Sequence, residues 1–169
     1  MIYFCRDLGD PVSEAKAASS LGSVLNQLGQ HASALTYHQR DLALSSTASS
    51  DSSDDGSHWR GQVRALHAIG LTLEAMGDPQ GAVASYEGGL AVAGAQEDAE
   101  GKVRALAALG KIHHAALAQM DAAISFLQQA LSEIEMVTSS ATSGTLHKYL
   151  IYFLEKDMAG LFFIQNRKT

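Results

Sequence analysis

Apolar residues along the chain recur at helical spacing. Ala18, Leu21, Gly22, Leu25 and Leu28 keep an i, i+3, i+4, i+7 rhythm, and Leu66, Ile69, Gly70, Leu73 and Met76 repeat it. Such a stripe predicts an amphipathic helix. A break follows at Gly29-Gln30, at Gly77-Asp78-Pro79 and, less sharply, at Ala118-Gln119-Met120. Pro79 stands where a second helix would start, the one helical turn that tolerates proline. Second helices are predicted over Ala32–Leu44, Gln80–Ala93 and Asp121–Val137. The pattern is therefore helix–turn–helix, three times over.

The three copies are related in sequence. The phrase that begins at Val63, VRALHAIGLTLEAMG, returns forty residues later at Val103 as VRALAALGKIHHAAL. Leu66/Leu106, Gly70/Gly110, Ala82/Ala122 and Tyr86/Phe126 correspond, and an earlier copy carries Leu21-Gly22, Gly29 and Ala34. Gly22 and Gly70 are 48 residues apart, so an insertion of about eight residues separates the first two copies. The stretch SSTASSDSSDDGS, from Ser45 to Ser57, is its place. A mid-helix glycine costs about 1 kcal/mol against alanine. At three equivalent positions it implies close approach of the paired helix, with Ala34, Ala82 and Ala122 as the facing small residues. Tyr37, Tyr86 and Phe126 are then expected in the repeat cores.

Composition agrees with closely packed helices. Of 169 residues 46% are apolar, and 7% are aromatic, lean for a β-sandwich. The net charge of −6 lacks the basic surplus that non-specific nucleic-acid binding needs. The single cysteine, Cys5, forms no internal disulfide and belongs to no zinc-ligand spacing. No signal-peptide core and no run of eighteen apolar residues is present. A cytoplasmic protein is expected.

The Leu-Gly pair, the glycine before the turn, the small alanine, the aromatic and the closing Ala-Leu together resemble the tetratricopeptide repeat. The roughly forty-residue spacing, with phrases such as ALTYHQRDLAL and VRALAALG, is similar to the Leu-Gly-Asn-type variant found in G-protein-signalling modulators and tetratricopeptide repeat protein 28. The resemblance covers Glu14–Met136 and implies an all-α fold, a right-handed solenoid of helix-turn-helix repeats. Residues 1–13 read as the remnant of a preceding repeat helix and its link, so the chain is expected to be a slice of a longer array. Residues 14–44, 60–94 and 99–137 read as the three repeats, and 45–59 as a Ser/Asp-rich flexible insertion. A linker over 138–144 leads to a C-terminal capping or divergent helix over 145–164. That last segment is apolar nearly all round at Tyr149–Leu154, which raises three options: a fold back into the groove, a homodimer, or a sequence not selected as part of the array.

Residues with chemical potential are few. The seven histidines, His113-His114 included, give no His-x-x-x-His pair beside a glutamate, and no cysteine joins them. DSSDDG, from Asp51 to Gly56, mimics the first half of a calcium loop, but its twelfth place is Gln62 where a bidentate glutamate is required. Ser52, three residues before Asp55, has the spacing of an acidophilic kinase site. Trp59 is expected to pack against the start of the second repeat. No nucleophile elbow, phosphate loop or carboxylate pair is visible, and no nucleophile stands beside His113-His114. A non-enzymatic protein with no metal or cofactor is expected.

In the family the first helices of successive repeats line a concave, peptide-receiving groove. The resemblance places Lys16, Ser19, Ser23 and Asn26 there from the first repeat. Arg64, His67, Leu71 and Glu74 come from the second, and Arg104, Ala107, Lys111 and His114 from the third. Four firm positive charges against one negative imply an acidic peptide or helix as partner. The carboxylate clamp of chaperone-binding repeats is not matched, since its places read Ser19, Ser23, Ala68, Arg104 and Ala108. The asparagine after Leu-Gly that names the variant is replaced by Ser23, Leu71 and Lys111. The alternative reading is a structural or self-associating segment of a longer array with no peptide ligand of its own.

Overall fold

A computed structural model describes residues 10–47 and 56–140, and every regular element among them is an α-helix. In order they are α1 (Pro11–Gln27), α2 (His31–Thr47), α3 (Ser57–Met76), α4 (Pro79–Ala95), α5 (Ala99–Ala115) and α6 (Met120–Ser140). The proposed phosphosite Ser52, the calcium-like loop up to Asp55, the N-terminal remnant up to Gly9 and the helix expected over 145–164 lie outside the described residues. No described helix is long and apolar enough to cross a membrane. The chain divides into two compact units, one holding α1–α4 and the other α5 and α6.

Helix starts follow from local chemistry. The Asp10 carboxylate accepts from the amides of Val12 (3.1 Å) and Ser13 (3.0 Å), and Asp78 accepts from Gly81 (3.0 Å). Each caps a helix whose first residue is proline, so the missing proton falls where no intrahelical bond is made. The turns of the first two pairs reverse through left-handed Gly29 (φ 76°) and Gly77 (φ 79°). The residue after each glycine closes back onto the helix, Gln30 onto Leu25 and Asp78 onto Leu73, both at 2.9 Å. In the third pair Ala118 takes the left-handed place at φ 52°, a conformation that costs an L-residue about 1–2 kcal/mol.

Within each pair one glycine of the first helix receives one large side chain of the second. A Cβ on Gly22 would lie 2.7 Å from the His38 ring, and one on Gly110 would lie 2.7 Å from Leu127. Gly70 faces the Tyr86 ring in the same way. The buried stripe of the second helices is Ala34, His38, Asp41, Ser45 in α2 and Ala82, Tyr86, Gly89, Ala93 in α4. In α6 it is Ala123, Leu127, Ala130 and Ile134. The core places of the third pair are therefore Ala123 and Leu127, one residue beyond Ala122 and Phe126. Its turn is one residue longer: Gly22 to Ala34 and Gly70 to Ala82 are 12 residues, Gly110 to Ala123 is 13. Tyr37 likewise yields its expected core place to His38, which is 1% exposed.

Two helix ends extend into the Ser/Asp-rich stretch. α2 runs on to Thr47, and α3 already starts at Ser57. The contact of Ser45 with Gly61 explains the first extension, since an added Cβ on Gly61 would collide with the Ser45 side chain. At the start of α3 the Arg60 guanidinium lies 4.7 Å over the half-buried Trp59 ring.

Candidate peptide-binding face

In the first unit α1 and α3 lie side by side with α2 packed behind both. The eight groove residues predicted for these helices divide into two sets. Lys16, Ser23 and Leu71 are exposed, Leu71 at 40%. Ser19, Asn26, Arg64, His67 and Glu74 are half-buried and engaged with other parts of the fold.

Arg64 is the most heavily engaged. Its Nε donates to the Ser19 hydroxyl (3.1 Å) and its Nη2 donates to Asp41 (2.8 Å). One guanidinium thus ties α1, α2 and α3 together. The Asp41 side chain is 0% exposed and that of Arg64 40%, so the carboxylate is the buried partner. Ser45 donates to the same Asp41 oxygen at 3.3 Å. The charge that sequence alone assigns to the groove at Arg64 is therefore balanced from behind.

Asn26 Oδ1 accepts from the His31 Nδ1–H across the α1–α2 turn at 2.6 Å. Glu74 accepts a short hydrogen bond from the Tyr86 hydroxyl, and the His67 ring packs on Tyr86 with centroids 5.4 Å apart. Burial first, and then the bond to Glu74, push the Tyr86 hydroxyl well above the ordinary tyrosine range. Tyr86 accordingly acts as a neutral donor. His38, between Gly22 and Asp41, is held below the usual histidine range because burial disfavours its cation, and Asp41 opposes this only in part.

In the second unit Arg104 and Lys111 are exposed on α5, and Ala107 and His114 are half-buried. Arg104 pairs with Glu100 one turn earlier at 2.6 Å. His113, which replaces a packing residue of the family, bonds Gln119 through Nδ1 at 2.7 Å and sets its ring 5.1 Å from Phe126. A buttress at Lys102–Glu133 (3.0 Å) joins α5 to α6. Arg40 and Glu14 make the corresponding link between α2 and α1, with the charges exchanged.

Sequence reasoning missed His38, Asp41 and Ser45. The signal for them lies in the aligned second helices, where Asp41 and Ser45 occupy places held by Gly89 and Ala93 in α4 and by Ala130 and Ile134 in α6. Polar residues in an otherwise small or apolar buried position require partners, and Arg64 and Gly61 on α3 supply the charge and the room.

Two family models, each described as tetratricopeptide repeat, match the chain: one over residues 65–100 and 105–136, the other over residues 15–53. Together they span more than half of it. The chain belongs to the tetratricopeptide repeat family. No curated protein matches it significantly. Each matched stretch opens within the first helix of a pair, α1, α3 or α5.

Proposed function

We propose that this tetratricopeptide repeat chain is a non-enzymatic adaptor for an acidic peptide or helix. The residues concerned are Lys16, Ser19, Ser23, Asn26, Arg64, His67, Leu71 and Glu74 on the first unit and, taken separately, Arg104, Lys111 and His114 on the second. The observation that carries the reading is the exposure of Lys16, Ser23 and Leu71 on the first helices of matched repeats, beside an Arg64 already fixed in place. Engagement of Arg64, Asn26 and Glu74 within the fold makes the surface preformed, which lowers the ordering cost of binding. Kinship with the Leu-Gly-Asn-type variant is part of the same proposal. It rests on the forty-residue step from Gly70 to Gly110, while Ser23, Leu71 and Lys111 at the asparagine place imply side-chain contacts of a different kind.

Charge reversal tests it. The variant K16E/R104E/K111E leaves Arg64 and its buried partner untouched. Affinity capture from cell extract with wild type and variant at matched thermal stability should show loss of acidic partners from the variant and weaker capture by wild type as salt is raised. An identical set of captured proteins would overturn the acidic-partner reading and favour the structural or self-associating segment.

A further inference from the structure

One side of α1 is an open copy of a side that the fold covers on α3. Ala17, Leu21 and Val24 of α1 correspond to Ala65, Ile69 and Thr72 of α3, forty-eight residues on. The three on α3 are buried, and α2 packs along that helix, with Ser45 seated on Gly61. Among the described helices none covers the corresponding side of α1, which meets α2 through Gly22 and α3 through Ser19. There Ala17 and Leu21 are half-buried, Val24 is 51% exposed, and Leu28, one turn further, is 67% exposed. A repeat face shaped to receive a helix, with large apolar side chains in water, marks a contact surface.

The order of residues along this side fits a second copy of itself. Ser13, Ala17, Ser20 and Val24 alternate four- and three-residue steps, the interval of a helix–helix seam, with Leu21 and Leu28 alongside. The first half of the seam is small (Ser13, Ala17, Ser20) and the second half large (Leu21, Val24, Leu28). A second α1 laid antiparallel, with a two-fold axis between Ser20 and Leu21, sets Val24 against Ala17 and Leu28 against Ser13. Leu21 then meets Ser20, so a large side chain faces a small one each time. None of the six is charged. The two Lys16 side chains, each level with Leu25 of the other copy, stand roughly 14 Å apart along the axis. That exceeds the Debye length of about 8 Å at physiological salt. Lys16 and Ser23 lie off the seam, and their side of α1 stays open.

We infer that α1 is a self-association face: two copies of the chain pair antiparallel along Ala17, Leu21, Val24 and Leu28, about a two-fold axis between Ser20 and Leu21. An isologous contact of this kind closes at two chains. The seventeen residues of α1 span roughly 25 Å, and one helix face buries well under the roughly 1,600 Å² of a standard stable interface. The dimer is therefore weak, with Kd on the order of 100 μM. It forms where chains are brought together on a shared partner. The adaptor reading neither requires this contact nor is required by it.

Sedimentation equilibrium of the full chain up to about 1 mM should show the mass rising from one chain towards two and no further. Val24→Lys, at an exposed position, should raise the dissociation constant about tenfold or more, with helical circular dichroism and thermal midpoint unchanged. Cysteine pairing reads the register, in a Cys5→Ser background that removes the one native thiol. Under mild oxidation an equimolar mixture of Ala17→Cys and Val24→Cys chains should link about tenfold faster than either chain alone. In the antiparallel pair residue 17 faces residue 24, whereas like positions lie roughly 10 Å apart, and a bridge needs Cβ atoms about 4 Å apart. A monomeric mass at about 1 mM would overturn the inference and leave this side of α1 to residues 1–9, to the segment 145–164 or to another protein. A dimer indifferent to Val24→Lys, or one in which a single variant links with itself as fast as the mixture, would overturn it in favour of another contact, such as Tyr149–Leu154. Capture by the charge-reversal variant tests the adaptor reading separately, so the two can fail independently.

Discussion

Replacing Gly70 by alanine sets two effects of known sign against each other. Alanine is the better helix former by about 1 kcal/mol, so a glycine kept for no reason would be improved. The added Cβ, however, would lie 2.6 Å from Cζ and 2.8 Å from Cδ1 of Tyr86, against an ordinary carbon–carbon separation of about 3.5–4.0 Å. The ring would have to retreat by about 1 Å. It is 1% exposed, its hydroxyl is bonded to Glu74, and His67 packs against it. Overpacking of this kind costs about 1–3 kcal/mol, and stretching a hydrogen bond to a carboxylate adds about 1 kcal/mol or more. A net destabilisation of roughly 1–3 kcal/mol is expected for Gly70→Ala. Gly94 is the internal control. It is exposed near the end of α4 with nothing within 4 Å of an added Cβ, so Gly94→Ala should stabilise by about 0.5 kcal/mol. Urea unfolding followed at 222 nm, with the slope of the transition checked for constancy, measures both. A Gly70→Ala midpoint at or above that of wild type would show that the Tyr86 ring is free to move and that close approach is not what requires the glycine.

Three further outcomes follow from the same core. Because the folded-state pKa of His38 is depressed by burial, its contribution to stability is present above the unfolded value near 6.5 and is lost as pH falls from there through the folded value. His38→Leu, which copies Leu127 opposite Gly110, should flatten the decline of the urea midpoint over that acid range. A second outcome concerns the Arg64–Asp41 pair, whose members differ in burial. Arg64→Ala strands a fully buried carboxylate, at about 3–5 kcal/mol. Asp41→Ala leaves a half-exposed guanidinium that water can reach, at about 1–2 kcal/mol. Denaturation of the two single variants and the double variant should give that order, and equal costs would refute it. Finally, Ala118→Gly relieves a left-handed alanine and should raise stability by about 1 kcal/mol, read as a higher thermal midpoint.

The repeat, its helix pairs and two of the three turns were legible in the sequence because each rests on local chemistry. Gly29 and Gly77 reverse the chain, Asp78-Pro79 starts a helix, and the apolar rhythm of Leu66, Ile69 and Leu73 needs no distant partner. The third turn was harder. Ala118 does what glycine does elsewhere, so nothing in the composition marks the extra residue that moves the core from Phe126 to Leu127. The polar stripe of α2 was illegible for a different reason. Periodicity sets His38, Asp41 and Ser45 on the face of Ala34, but their polarity points to solvent, and only partners on α1 and α3, more than ten residues away in the chain, make their burial tolerable. The same limit applied to the groove. The basic residues were visible, but their counter-charges Asp41 and Glu100 become relevant only once the helices are placed.

The buried carboxylate of α2 also bears on how repeats could be exchanged. What Asp41 and Ser45 demand of the helix stacked on them is a glycine with an arginine three residues later, met by Gly61 and Arg64. The third repeat carries the same pair of types, Gly101 and Arg104, although Arg104 there turns to Glu100. Excision of residues 62–101 would join Gly61 to Lys102 and restore the three-residue interval to Arg104. The face of α2 is in this sense a socket of general gauge. It selects a stacking rule and is indifferent to which later repeat obeys it, so loss of one whole unit by recombination would leave a junction that still closes.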